Sequence, residues 1–375
     1  MVVHFQEIEN MNNISNPKSI FRVLAISFCF FVLSCSSSDD GEKEPEANFV
    51  QTTLNDYESS FPKGGAVAYV LESDGTVTTG AIGESEPDIP LEVGMRYAIG
   101  STSKTFTAIL IYKLIESGEL SLASTIEEIV PEIVNTKIPG TVTVEQLLNH
   151  SSGLHHPLPG SDGLFNYVIN NPSEEITFET FVSFMDLPDN EPGEIYSYSD
   201  ANFKILGLMV EKITGNDFET QLGQVLLNPL GLSDTYIGTS TPRPNQAYSW
   251  VNEESLKDLN RTAVESMGTF TGNIWASPAD LAKWFKAIFE GGIINANSLD
   301  VMTTFHPGTR GVTYGAGMFR ETLGGKQMYW YSGFTIAYGT YCGYIPSTGD
   351  VVVVINNQFN FEEITAIVAD LVEQL

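Results

Sequence analysis

The sequence predicts an α+β fold: one antiparallel sheet built from both ends of the chain, flanked by helices, with a mostly helical subdomain inserted at about 120–260. Two observations predict it. Strand-like runs occur early, at residues 65–82, and again late, at 313–356. Between them, apolar residues recur at helical spacing and strand character is scarce.

Taken in order, globular sequence starts near Phe49, and residues 49–375 make up the folded domain. Residues 65–71 and 76–82 flank Ser73-Asp-Gly75, a hairpin signal. Phe106, Ile109, Leu110, Leu114 and Ile115 then follow a helical period that Ser117-Gly118 stops, so Ser101 heads a largely buried helix. After a Pro/Gly-bounded segment at 130–140, residues 142–150 read as a short helix running into Ser151-Ser-Gly-Leu154. Residues 203–214 read as another helix, ending at Gly215. Residues 268–276 read as a Gly-rich loop, and Ser277 caps a helix with Pro278 at its first position, continuing to about Glu290. The tail alternates into strands at 313–320, 326–332, 339–345 and 350–356, and a helix at 362–375 closes the chain.

The 375 residues carry 18 basic against 47 acidic side chains, a net charge of −29. That balance argues against nucleic acid, whose binding needs Lys and Arg to displace counterions, and against adsorption to anionic lipid. Near the start, Lys18 and Arg22 precede an apolar run at 23–33. The run is too short to span a bilayer and suits the core of a signal peptide, expected at 1–34. Residues 1–10 are acidic, unlike a signal start, and Met11 reads as the initiator. Residues 35–48 read as a flexible acidic tether. Cys342, inside Thr340-Tyr-Cys-Gly-Tyr344, reads as a small strand residue rather than a catalytic thiol.

Three stretches carry candidate chemistry. In Gly100-Ser-Thr-Ser-Lys104, Ser101 and Lys104 share one helix face about a turn apart. A serine is a poor nucleophile until a base takes its proton, and a lysine serves only when its pKa is lowered. In Tyr196-Ser-Tyr-Ser-Asp200, Tyr198 and Asp200 lie just before a helix and can point into a cleft. In Trp330-Tyr-Ser-Gly-Phe334, Gly333 permits a close backbone approach at a strand end. Taken singly, Ser101 also reads as an N-cap, Lys104 as a solvated helix residue and Tyr198 as a core aromatic. His155 and His156 are adjacent and cannot share a helix face, and no carboxylate cluster completes a metal site with them. His150 reads as fixing a turn.

In this order and spacing the motifs resemble those of the serine beta-lactamase and penicillin-binding-protein family, in its class C, DD-carboxypeptidase and esterase branch. That family is marked by Ser-x-x-Lys, Tyr-x-Asn and Lys- or His-x-Gly, which stand here as Ser101-Thr-Ser-Lys104, Tyr198-Ser-Asp200 and Tyr331-Ser-Gly333. Leu147-Leu-Asn-His-Ser-Ser-Gly-Leu154 and Tyr314-Gly-Ala-Gly317 match as well. The resemblance implies a beta-lactamase/transpeptidase-like fold and a serine hydrolase working through an acyl-enzyme without cofactor or metal. In that scheme Ser101 is the nucleophile, and Lys104 and Tyr198 share the acid and base roles. The backbone N–H groups of Ser101 and Phe334 form the oxyanion hole, and Asp200, Tyr331, Ser332 and Gly333 contact a small-molecule or peptide substrate. Separately, Leu33-Ser-Cys35 resembles a bacterial lipoprotein processing site, with Cys35 lipidated as the only membrane attachment in the cell envelope. The acidic run after it resembles the surface-export signal of Bacteroidota lipoproteins.

Two motifs depart from the family pattern. Asp200 replaces an amide by a group that, ionised, only accepts, and a carboxylate near Lys104 favours the ammonium, which moves the base role toward Tyr198. Tyr331 replaces a cation, which Arg320 restores only by turning into the cleft. The site then gains a negative charge and loses a positive one, and neutral esters or amides, or substrates with a free amine, suit it better than carboxylate-bearing ones. Two alternatives stand beside this reading: a penicillin-binding protein or beta-lactamase proper, and a non-catalytic binder on the same fold.

Overall fold

The computed structural model describes residues 48–160, 162–307 and 313–375. The signal peptide, Cys35 and nearly all of the tether lie outside the described residues. The described chain opens with helix α1 (Phe49–Asp56), capped by Asn48. Strands β1 (Gly65–Leu71), β2 (Val77–Glu86) and β3 (Ile89–Pro90) follow. Helices α2 (Ser103–Ser117), α3 (Asp200–Thr214) and α4 (Pro278–Phe289) are the long helices of the middle. The tail supplies β4 (His306–Pro307), β5 (Thr313–Tyr314), β6 (Phe319–Leu323), β7 (Lys326–Thr335), β8 (Tyr338–Ile345), β9 (Asp350–Asn356) and helix α5 (Phe361–Glu373).

The nine strands form one antiparallel sheet in the order β3-β2-β1-β9-β8-β7-β6-β5-β4. The two chain ends meet where β1 lies beside β9, with Ala66 opposite Asn356 and Leu71 opposite Val351. All seven residues of β9 are buried, which requires cover on both sheet faces. Helices α1 and α5 pack together, α1 on β1 and β2 and α5 on β8 and β9, and α4 supplies further cover on β1, β8 and β9.

Two predicted elements change, and one helix is additional. The strand expected at 313–320 is broken: Thr313–Tyr314 and Phe319–Leu323 are separate strands joined by a turn in which Gly315 N donates to Met318 O. The expected loop at 268–276 ends in a strand, Ile274–Ala276, that pairs with Tyr97–Ala98 on one side and Tyr236–Ile237 on the other. Three residues are too few to show a period of two, so the pattern hid them. Helix α1 was not expected, since its apolar residues fill barely two turns.

That small sheet aims the chemistry. Tyr97–Ala98 runs directly into the turn Gly100–Thr102 and then into α2. Helix α2 is apolar nearly all round and buried, as a core helix must be. Phe106 stacks on Trp284 of α4 at 4.0 Å, and the Trp284 indole N–H donates to Thr105 Oγ1 at 2.8 Å. Gly118, left-handed at φ +80°, ends the helix where the sequence placed its stop.

Candidate active site

Ser101 sits in the turn that enters α2. The first backbone bond of that turn is donated by Thr102 N to Ile99 O, so the Ser101 amide precedes the ladder. Strand β7 is pressed against this turn. A Cβ at Gly333 would lie 1.8 Å from Ile99 O and 2.9 Å from Ser101 N. A Cβ at Gly100, whose φ is +50°, would lie 2.6 Å from Phe334 N. Only glycines allow this approach, and it gathers the backbone amides of Ser101 and Phe334 at one spot.

The serine oxygen is the meeting point of two donors. Lys104 Nζ donates to Ser101 Oγ at 2.9 Å, and the Tyr198 hydroxyl donates to it at 3.0 Å. Lys104 is fully buried and also donates to the Thr271 carbonyl at 3.0 Å. Its ammonium lies 2.7 Å from Asp200 Oδ1. Burial pulls the Lys104 pKa below its ordinary value, against the opposing pull of Asp200. Burial also opposes ionisation of Asp200, yet Lys104 and then His156 keep its carboxyl below the usual range.

Tyr198 is placed by two histidines. The His150 ring packs on it at 4.4 Å, and the His156 ring meets it edge-on at 5.6 Å. His150 itself has φ +57° after the helix Val144–Leu148. Its Nδ1 accepts from Ser199 N and contacts Asn202 Nδ2 at 2.8 Å, so it fixes the Ser151 and Ser199 segments together. Burial, reinforced by the Asp200 carboxylate, raises the Tyr198 pKa far above a phenol's usual value. The same carboxylate that favours the Lys104 ammonium also opposes a Tyr198 phenolate, so Asp200 weighs against both groups as bases, while burial alone favours the Lys104 amine.

The residues expected to touch substrate fare unevenly. Gly333 and the Phe334 amide lie at the serine, and Ser332 is buried in the same strand. Asp200 is the first residue of α3 rather than part of the preceding loop, and its charge is spent on Lys104. Tyr331 is fully buried, with its hydroxyl 3.4 Å from that of Tyr314, and after burial itself Tyr198 and Asp200 are among the groups that hold its phenol neutral. Arg320 does not replace the missing cation: its guanidinium lies over the Phe305 ring at 4.7 Å. A cavity of about 540 Å³ lies elsewhere, lined by Glu211, Asp217, Glu265 and Asn273 among others, and none of Ser101, Lys104 or Tyr198 borders it.

Sequence reading missed two participants. The Thr271 carbonyl is backbone and leaves no side-chain signal. Lys204 is a buried lysine one turn after Asp200, and the signal was present: a charge inside Phe203-Lys-Ile-Leu-Gly-Leu-Met209.

Protein flp of Staphylococcus aureus is 25% identical over 194 residues, covering 51% of this chain and 38% of that protein. A beta-lactamase of Providencia stuartii is 26% identical over 244 residues, covering 64% of this chain and 58% of that protein. The chain thus spans from about two fifths to under two thirds of the length of these relatives. The solved D-amino acid amidase of Ochrobactrum anthropi SV3 superposes with a TM-score of 0.74 at 21% identity, over 87% of this chain and 97% of that one, a likeness of fold. The Beta-lactamase family model matches residues 54–374, and on that match the chain belongs to the beta-lactamase family.

Proposed function

We propose that the protein is a serine hydrolase that cleaves a neutral ester or amide through an acyl-enzyme on Ser101. The observation that carries this is the Ser101 oxygen, held at 2.9 Å by Lys104 and 3.0 Å by Tyr198 beside two converging backbone amides. Lys104, in its amine form, takes the proton of Ser101 as Oγ adds to the carbonyl carbon. The amides of Ser101 and Phe334 receive the negative charge that develops on the carbonyl oxygen. Tyr198 donates a proton to the leaving group, whose bond to carbon breaks, and is reprotonated from Lys104. Water then attacks the acyl-serine by the reverse proton path and releases the acid.

Substrates without a carboxylate beside the scissile bond fit best. With Lys104 in its amine form the Lys104–Asp200 pair carries the negative charge of Asp200, Tyr331 carries none, and Arg320 is engaged on Phe305. The test compares steady-state turnover of a neutral p-nitrophenyl ester with that of nitrocefin, alongside fluorophosphonate labelling with Ser101→Ala as control. Labelling lost in Ser101→Ala and faster ester turnover support the reading. Faster nitrocefin turnover favours a beta-lactamase or penicillin-binding protein proper, and absence of labelling favours a binder.

We also propose that Cys35 anchors the protein to the cell envelope by lipid. Support comes from the apolar run and the Leu33-Ser-Cys35 site alone, both outside the described residues. Among the described residues no helix is long and apolar enough to cross a membrane. Palmitate incorporation abolished by Cys35→Ser tests it; incorporation unchanged in that variant overturns it.

A further inference from the structure

We propose that Lys204 is a positioning residue for Lys104: its ammonium gathers the carbonyls of Ser266, Met267 and Thr269 and so holds the turn whose Thr271 carbonyl grips the Lys104 amine. This rests on the reading of Lys104 as the base for Ser101.

Lys204 stands on α3, one turn beyond Asp200, and is 3% exposed. A core position flanked by Phe203 and Ile205 is filled most simply by a hydrocarbon, since an unpaired buried ammonium is costly. Here the cost is met by three carbonyls for three N–H groups: Met267 O at 2.8 Å, Thr269 O at 3.2 Å and Ser266 O at 3.3 Å. Ser266 and Met267 end the short helix Thr262–Met267 and Thr269 lies two residues beyond it; the Ser266 carbonyl also accepts from Thr269 N and Thr269 Oγ1, so Met267 O and Thr269 O are the carbonyls that depend most on Lys204. Two residues beyond Thr269, the Thr271 carbonyl accepts from Lys104 at 3.0 Å. Between them Phe270, at φ +68°, gives its carbonyl to Thr107 of α2 at 2.7 Å. The turn is therefore pinned from α3 by Lys204 and from α2 by Thr107 and Lys104, and it fixes where the Lys104 amine points relative to Ser101.

Charge supports the same role. Burial pulls the Lys204 pKa down to about 7, with Asp200 favouring its ammonium and Lys104 opposing it. The repulsion is mutual, so below that pH a charged Lys204 offsets part of what Asp200 does to Lys104. Asp200 and Lys204 then act as a compensating pair.

The test uses the full chain. The second-order rate of fluorophosphonate labelling at Ser101 is followed by intact mass from about pH 5 to about pH 10, the span that brackets an acid limb set by Lys104. Lys204→Met is expected to label about tenfold to a hundredfold more slowly, the scale of a misplaced catalytic group. Its acid limb should move to higher pH, because a cation near Lys104 is gone. Lys204→Arg keeps charge and donors and should restore the position of the limb. If Lys204→Met does not fold, Lys204→Gln, which keeps N–H donors without charge, is expected to move the limb to higher pH with a smaller loss of rate, and a limb unmoved in it overturns the charge role. A folded variant with lowered thermal stability but wild-type rate and limb overturns the proposal, since a purely structural residue would give that result. Failure of the wild-type protein to label would instead overturn the serine hydrolase reading.

Discussion

Replacing Asp200 by asparagine removes one charge from the buried cluster and should move the acid limb of the reaction to lower pH. The carboxylate oxygen is 2.7 Å from the Lys104 nitrogen, and the two side chains are 10% and 0% exposed. At an effective dielectric of about 20, Coulomb's law caps that attraction at about 6 kcal/mol. In practice an opposite charge at such range moves a pKa by about one to three units, or roughly 1.4–4 kcal/mol. The carboxylate favours the ammonium, so its removal lets burial pull the Lys104 pKa further down. Fluorophosphonate labelling of Asp200→Asn should therefore persist about one to three pH units further into acid than that of the wild-type protein. An unmoved limb, or one displaced toward alkali, would refute the reasoning. Stability carries a second sign. Asp200 has a depressed pKa in the folded state, so its contribution is present above the ordinary carboxylate pKa and lost as pH falls through the depressed value. The stability gap between wild type and Asp200→Asn should thus be widest near neutrality and close in acid.

Two further outcomes follow from the geometry. Gly333→Ala places a methyl 1.8 Å from Ile99 O, which pushes β7 away from the serine turn; labelling should fall by about a hundredfold, the scale of one lost oxyanion donor, and wild-type labelling would contradict that placement. Glu265, buried beside Trp275 whose indole N–H donates to it at 2.9 Å, has its pKa pushed up to about 7 by burial. A raised pKa gives stability that is present below the ordinary value and lost as pH rises through about 7. Glu265→Gln should therefore melt higher than wild type at pH above about 8, by up to roughly 3 kcal/mol, with no gain near pH 5. Equal melting at both pH values would show that this carboxyl is not held neutral.

Much of the fold was legible because long elements announce themselves. The hairpin around Ser73-Asp-Gly75, the stop at Gly118, the cap at Ser277 and strand β9 all stand where pattern and turn chemistry put them. Short elements were not legible: Ile274–Ala276 owes its conformation to two flanking strands brought from far along the chain. At the site, Ser101, Lys104 and Tyr198 were named from motif spacing, and the structure brings their reacting atoms within hydrogen-bond reach. The electrostatics were read less well. Asp200 was weighed against Lys104 alone and Tyr331 as a residue facing a cleft, whereas both are buried, and a second lysine on which Asp200 acts lay four residues on, hidden in a helical period. Charge balance in a buried cluster depends on neighbours that a linear pattern does not bring together.

The adjacency of β1 and β9 has a consequence for biogenesis. The hydrophobic seam of the domain closes only when segments some 290 residues apart in sequence find each other, Ala66 against Asn356 among them. A nascent chain emerging from the ribosome must wait for almost its whole length before its first hairpin gains its neighbour. Such remote pairing slows folding and leaves sticky edges open in the meantime. Even a modest truncation, one that spares Ser101, Lys104 and Tyr198 but omits the last strand, should yield aggregated rather than weakly active product.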